Sequence, residues 1–305
     1  MGLSTWDIFC AASLFGIWPR FIEPNMLKVE HVKIPSPVKL KIGFFSDLHF
    51  SPLLGPRFLE RLATKLEEEK PDLILFGGDF LVYARPEYLE ALEAFLSRFH
   101  AKYGAYACLG NHDYEKAVGV DPTTGDYALI ERKGLIRAGF KSLISPPSLT
   151  GRFSPALKKI RPHPRLLSLL EKTPFKLLHN ETVSAGPLQI TGLGEYMAGD
   201  MNLETAFKGT QEGKYHIVLC HNPDAFPLLK DTPGDLVLGG HTHGAQINLP
   251  LIWNHFTLME HPEYCRGICR LGEKTAYVSR GVGGVVKLRI GSIPELTILE
   301  LGETP

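Results

Sequence analysis

From residue 39 the chain alternates polar and apolar side chains (Lys39-Leu-Lys-Ile-Gly) and then turns wholly apolar at Phe44-Phe45, as a strand entering a core does. Leu59, Leu62, Ala63 and Leu66 then recur at helical spacing, which predicts a helix closed by Pro71. Asp72-Leu-Ile-Leu-Phe76 reads as a short buried strand. Leu89, Leu92, Phe95, Leu96 and Phe99 predict a second helix, and Tyr106-Ala-Cys-Leu109 the next strand. Further strands are expected at Leu188-Gln-Ile-Thr, Tyr215-His-Ile-Val-Leu, Asp235-Leu-Val-Leu, Ala276-Tyr-Val and Glu295-Leu-Thr-Ile-Leu. This alternation of strands and helices implies a largely parallel sheet covered by helices.

Two stretches depart from that regularity. Between residues 115 and 172 lies an insertion rich in Pro and Gly, and residues 116–165 hold ten Lys/Arg against three Asp/Glu. Leu135, Ile136, Phe140, Leu143, Ile144, Phe153, Leu157 and Ile160 are interleaved with that charge. A solvated face would explain the charges. The rival reading is a cap that meets an anionic, partly apolar ligand or a membrane surface. At the other departure, residues 8–19 form an uncharged run of 12. A spanning helix takes about 20 apolar residues, and no basic residue precedes the run as in a signal peptide. Its flanks Trp6, Trp18, Arg20 and Phe21 are types that settle at headgroup level. Residues 1–33 are therefore expected to lie in a membrane interface, the plainer alternative being a first helix packed on the domain. Residues 34–305 are expected to form one domain carrying the insertion.

Composition narrows the classes. With 44% apolar and 22% charged residues the chain is an ordinary globular one. A formal net charge of zero offers little to a polyanionic duplex, so no nucleic-acid partner is expected. Cys10, Cys108, Cys220, Cys265 and Cys269 are odd in number and lack zinc-type pairing, which suits reduced thiols on the cytoplasmic side of a membrane.

The chemistry is concentrated where five apolar runs end. Phe44-Phe-Ser leads into Asp47-Leu-His49, Leu73-Ile-Leu-Phe-Gly-Gly into Asp79, and Ala107-Cys-Leu-Gly into Asn111-His112-Asp113. Ile217-Val-Leu-Cys leads into His221, and Leu236-Val-Leu-Gly-Gly into His241-Thr-His243. In an α/β sheet, sites form outside the carboxyl ends of the strands, so these five tips are expected to converge on one crevice. Gly77-Gly78, Gly110 and Gly239-Gly240 would permit the close backbone approach such aiming needs. Oxygen and imidazole donors without thiolate point to Mn, Fe, Zn or Mg. The other seven histidines, His31, His100, His163, His179, His216, His255 and His261, read as structural, with His163 in the basic insertion a candidate substrate contact. Arg280, in a Ser-Arg-Gly turn, is a second one, an ion pair being its alternative.

In order and spacing, Asp47-x-His49, Gly78-Asp79, Gly110-Asn-His-Asp113, His221 and Gly240-His-Thr-His243 resemble the motifs of the calcineurin-like metallophosphoesterases, over residues 35–305 apart from the insertion. Phe21-Ile-Glu-Pro-Asn, Gly240-His-Thr-His-Gly-Ala-Gln246, and Tyr277-Val-Ser-Arg-Gly-Val-Gly283 followed by Pro294-Glu-Leu-Thr resemble the membrane-associated branch. That branch includes the UDP-2,3-diacylglucosamine pyrophosphatases of lipid A synthesis. The resemblance implies a sandwich of two β-sheets flanked by helices and two divalent metal ions, Mn foremost. Asp47, His49 and His243 would hold the first ion, Asn111, His221 and His241 the second, with Asp79 bridging both. His112 would serve as general acid or donate a hydrogen bond to the transition state. Asp113 would orient the His112 ring and favour its charged form, unless it is a turn or cap residue. Ala245, where many relatives carry Gly, implies a narrower mouth. The implied reaction is hydrolysis of an amphiphilic phospho-substrate at a membrane surface, UDP-2,3-diacylglucosamine giving 2,3-diacylglucosamine 1-phosphate and UMP. A phosphatase or phosphodiesterase for a soluble nucleotide or phosphoprotein is the alternative, and a non-catalytic metal-binding scaffold a remote one.

Overall fold

A computed structural model describes residue 4 and residues 16–130, 147–251, 253 and 257–303. Two six-stranded sheets stack face to face. The first has the order β1 (Lys28–Pro35), β14 (Glu295–Gly302), β2 (Leu40–Phe45), β3 (Leu73–Phe76), β4 (Ala105–Ala107), β7 (Phe175–Leu177). The second runs β12 (Gly267–Leu271), β13 (Lys274–Val278), β11 (Leu236–Gly239), β10 (Tyr215–Leu219), β9 (Leu188–Gly192), β8 (Glu181–Ala185). β5 (Val118–Val120) and β6 (Tyr127–Leu129) make a separate hairpin. The single sheet expected from the hydrophobic pattern is thus two, as the family resemblance implied.

Side-chain alternation explains the layering. Ile42, Phe44, Leu73 and Leu75 point from the first sheet toward Ile217, Leu219, Leu236 and Leu238 of the second, and all are buried in one cluster. Their neighbours Phe45, Ile74 and Phe76 point the other way, under α1 (Pro56–Glu69), α2 (Leu89–Leu96) and α3 (Pro164–Leu170). Val218, Val237, Ala276 and Val278 face outward from the second sheet, where Phe226, Leu229 and Ala206 of α4 (Leu203–Phe207) cover them. α1 starts with Pro56 at its first position, where the missing N–H costs nothing, and ends as Lys70 turns left-handed at φ 49° ahead of Pro71.

The basic insertion is partly core. Val118, Tyr127, Leu157 and Ile160 are buried in the same cluster as α1 to α3, so Leu157 and Ile160 support the domain rather than offer a greasy surface. Phe153 is exposed, and Leu135, Ile136, Phe140, Leu143 and Ile144 lie outside the described residues. Most of the N-terminal apolar run also lies outside them; its last residues form a wide helical turn, Trp18–Ile22. Ile17, Trp18, Phe21 and Ile22 are exposed. Among the described residues no helix is long and apolar enough to cross a membrane.

Leu62 is fully buried between α1 and the first sheet. Leu62→Ala is expected to lower unfolding stability by about 2–5 kcal/mol, the cost of a buried cavity, as read by denaturant titration.

Candidate metal centre

The expected ligands follow the C-terminal ends of five strands drawn from both sheets: β2, β3 and β4 in one, β10 and β11 in the other. The backbone aims them in an unusual way. Asp47, His49, Asp79, His241 and His243 all have positive φ, at 55°, 42°, 64°, 69° and 50°. Left-handed conformations cost a non-glycine residue of order 1–3 kcal/mol each and persist where the surroundings over-determine them. Glycines make room between the loops: a Cβ on Gly110 would overlap the Asp79 carboxylate, and one on Gly240 would lie 2.6 Å from Asp47 Oδ2.

The side chains gather into two groups that share an edge. Asp47, His49 and His243 form one, and Asp79, His221 and His241 the other. Asp79 Oδ2 lies 3.4 Å from His49 Nε2 and 3.3 Å from His221 Nε2, so one carboxylate oxygen faces both groups. Asn111 Oδ1 lies 2.9 Å from His241 Nδ1, and its amide is fixed by donation from Nδ2 to the Val118 carbonyl. Asp47 accepts from the His241 backbone N at 2.9 Å and from Ser46 Oγ at 2.5 Å.

Ring protonation in this arrangement suits cation ligands. His49 Nδ1 is 3.0 Å from the Leu81 carbonyl and His221 Nδ1 is 2.6 Å from that of Gly77. A carbonyl only accepts, so both rings carry a proton on Nδ1 and turn Nε2 inward; against its burial, the Asp79 carboxylate holds the His221 ring well above the usual imidazole range, so that its Nε2 takes either a proton or a cation. His221 Nε2 is buried without a hydrogen-bond partner. That inward nitrogen, with no hydrogen-bond partner and facing a carboxylate oxygen of Asp79, fits a divalent cation. Burial alone would raise the Asp79 pKa, but His221, His112 and His49 outweigh it and hold the carboxyl well below its usual range. Burial and the His221 charge push His241 down to about 3, and burial with the Arg289 guanidinium holds His243 well below its usual value. Both rings therefore stay uncharged, as imidazole ligands must.

His112 lies at the edge of this cluster, its ring within ligand distance of His49 and Asp79. Its contacts correct the expectation for Asp113. The Asp113 carboxylate does not hold the His112 ring. It accepts from the backbone N–H groups of Asp79, Leu81 and Gly110, each at 2.9 Å, because the three tips leave those donors buried between them. His112 Nδ1 instead accepts from the Tyr83 backbone N at 3.0 Å, which puts the ring proton on Nε2. Nor is His112 held charged, since burial pushes its pKa down to about 4.

The two candidate substrate contacts stand outside the cluster. Arg280 Nε is 3.6 Å from Glu295 Oε2, with the side chain partly exposed. His163 caps α3; its backbone N donates to the Asp113 carbonyl at 2.9 Å, and its Nδ1 is buried and unpartnered. Ala245 does not narrow the mouth, because its methyl is buried with Met259 and Cys265.

Sequence reasoning missed Arg289, which is almost fully buried. Its Nη1 donates to the carbonyls of Arg280 (2.7 Å) and Ser292 (3.1 Å), and Nη2 to those of Gly281 (3.2 Å) and Gly283 (2.5 Å). Nη2 also stands 3.3 Å from His243 Nδ1. Glu195, buried after β9 with Oε2 unpartnered, was missed too; burial raises its pKa to about 7.

A sandwich with this set of donors is the arrangement of a metal-dependent phosphoesterase. The calcineurin-like phosphoesterase family model matches residues 40–245, and the chain belongs to that family of metal-dependent hydrolases. It is 35% identical over 312 residues to the UDP-2,3-diacylglucosamine pyrophosphatase LpxG of Chlamydia trachomatis serovar D, covering 96% of this chain and 94% of that protein. LpxG of Chlamydia muridarum is 36% identical over 315 residues, with the same coverage. The phosphodiesterase YaeI of Escherichia coli K12 is 31% identical over 264 residues, covering 86% of this chain and 82% of YaeI.

Asp113→Ala would leave three buried N–H groups unpaired, at about 1–3 kcal/mol each. The expected outcome is a loss of several kcal/mol of stability on thermal or chemical unfolding, a size that loss of a ring-orienting contact alone would not give.

Proposed function

We propose that the chain hydrolyses the pyrophosphate bond of UDP-2,3-diacylglucosamine or a close amphiphilic relative, giving the lipid monophosphate and UMP. The observation that carries the chemistry is the convergence of imidazole nitrogens and carboxylate oxygens on two groups joined by Asp79. Asp47, His49 and His243 would hold one divalent ion, Asn111, His221 and His241 the other, and Asp79 both. Manganese is the expected ion, with Fe, Zn or Mg suited to the same donors. When bound, such ions neutralise phosphoryl charge and supply a nucleophile at neutral pH. His112 presents its Nε2–H to the leaving-group oxygen, while Tyr83 N–H on Nδ1 keeps the ring in that tautomer.

The lipid assignment draws on two supports. One is the similarity to LpxG along nearly the whole chain. The other is an exposed apolar rim carrying positive charge. Trp18, Phe21, Leu53 and Val286 are all exposed, and Arg20 donates to the Lys287 carbonyl as Lys287 Nζ donates to that of Leu53. Gln246, three residues beyond His243, donates to the Val286 carbonyl at 3.2 Å, so the rim adjoins the ligand loop. Aromatic and basic side chains together suit a membrane surface and an amphiphile drawn from it. Arg280 and His163 are the proposed contacts to the substrate phosphates. A second reading is a phosphatase or phosphodiesterase of a soluble nucleotide or phosphoprotein; the similarity to the phosphodiesterase YaeI supports diester cleavage in general.

Turnover with Mn²⁺ separates the two. Strong preference for UDP-2,3-diacylglucosamine over a generic soluble diester is expected, and turnover of the soluble diester alone would sink the lipid assignment. Asp79→Ala is expected to lose metal and activity together. His112→Ala is expected to keep its metal yet lose roughly 2–4 orders of magnitude in turnover. Near-parental turnover in that variant would remove His112 from the reaction.

A further inference from the structure

The residues before β1 are bound to the loop that holds His243. Glu23 is buried, with one carboxylate oxygen accepting from Trp18 Nε1 at 2.9 Å and the other from the Ser292 backbone N at 2.6 Å. The Pro19 carbonyl accepts from the Arg289 backbone N at 2.9 Å, and Arg20 Nη1 donates to the Lys287 carbonyl at 2.5 Å. Residues 18–23 are thereby hydrogen-bonded to residues 287–292 at three points.

The same two residues of that loop, Ser292 and Arg289, grip His243. Ser292 Oγ donates to the His243 carbonyl at 2.5 Å, and Arg289 Nη1 reaches that carbonyl at 3.4 Å while Nη2 faces the ring. Packing leaves little slack, since a Cβ on Gly244 would lie 2.7 Å from Ser292 Oγ. His243 is in the left-handed region and needs such outside support to stay there. The Ser292 amide is buried, so removing its acceptor on Glu23 would leave an unpaired donor beneath His243 and loosen the loop.

We infer that Glu23 is a positioning residue of the metal centre, fixing the half-site of Asp47, His49 and His243 through Ser292 and Arg289. Docking of residues 18–23 and binding of the ion at that half-site are then one linked equilibrium, in which each stabilises the other. This rests on the reading of His243 as a ligand.

Calorimetric titration of the full chain with Mn²⁺ alone tests it. The parent is expected to take up two ions. In Glu23→Ala one of the two is expected to bind about 10–100-fold more weakly, the usual effect of losing a partner that orients a ligand. The other keeps its affinity, and Glu23→Gln, which retains an acceptor for Ser292 N–H, stays near parental. A purely structural role would weaken both ions or neither. Two ions at parental affinity in folded Glu23→Ala overturn the inference. Amide hydrogen exchange on the parent needs no variant: Mn²⁺ is expected to slow exchange across residues 16–25, and unchanged rates overturn the coupling. A parent that takes up no Mn²⁺ would instead overturn the metal centre itself.

Discussion

The site depends on holding electron-pair donors against one another in a space largely withdrawn from water, with His241 and His243 alone half-buried at its mouth. Two carboxylates, an amide oxygen and four imidazole nitrogens face inward at separations near 3 Å, and nothing in their own chemistry draws them together. The sandwich supplies that constraint. Two sheets locked by an interdigitated apolar layer present five strand ends at one edge, and the loops beyond them are bent into left-handed turns that five of the ligand-type residues would not adopt unaided. The elements around the centre serve this end. Carbonyls at Gly77 and Leu81 set imidazole tautomers, and Asp113 ties three tips together through their amides.

That arrangement was legible in the sequence to the extent that it is local. An apolar run that ends in a polar donor, with glycine between them at three of the five tips, is a pattern within a few residues, and it found every member of the cluster. The division into two sheets was not local. Strands buried on both faces look alike whichever sheet they join, so the pattern alone suggested one. β1 alternates only over His31-Val-Lys-Ile, too short a run to stand out, and β8 and β12 are short antiparallel edges whose identity comes only from their neighbours. Asp113 shows the opposite failure. Its adjacency to His112 suggested a side-chain pair, whereas the three-dimensional arrangement left backbone donors in greater need of it.

Arg289 and Glu23 were illegible for a further reason. Arg289 binds chiefly carbonyl groups, which every residue has, and Glu23 meets its partner 269 positions away. Phe21-Ile-Glu-Pro-Asn and Pro294-Glu-Leu-Thr entered the family resemblance without any role. The structure gives the first a place as the strut beneath the His243 loop. It makes Glu295 of the second the acceptor for Tyr277 and the partner of Arg280. A buried guanidinium beside a cation site also means that the positive field there does not come from ions alone.

β1 pairs in parallel with β14 along its whole length, from Lys28 against Glu295 to Pro35 against Gly302. In a chain made from its amino end, β1 must therefore wait for β14 before it has a neighbour. Until then one border of the first sheet stays open, β2 also lacks β14, and the strut at Glu23 has no loop to hold. Contacts spanning nearly the full sequence are slow to form. β1 and the strut at residues 18–23 would thus stay unpaired until residues 287–302 had emerged from the ribosome, and the histidine loop would lock only then.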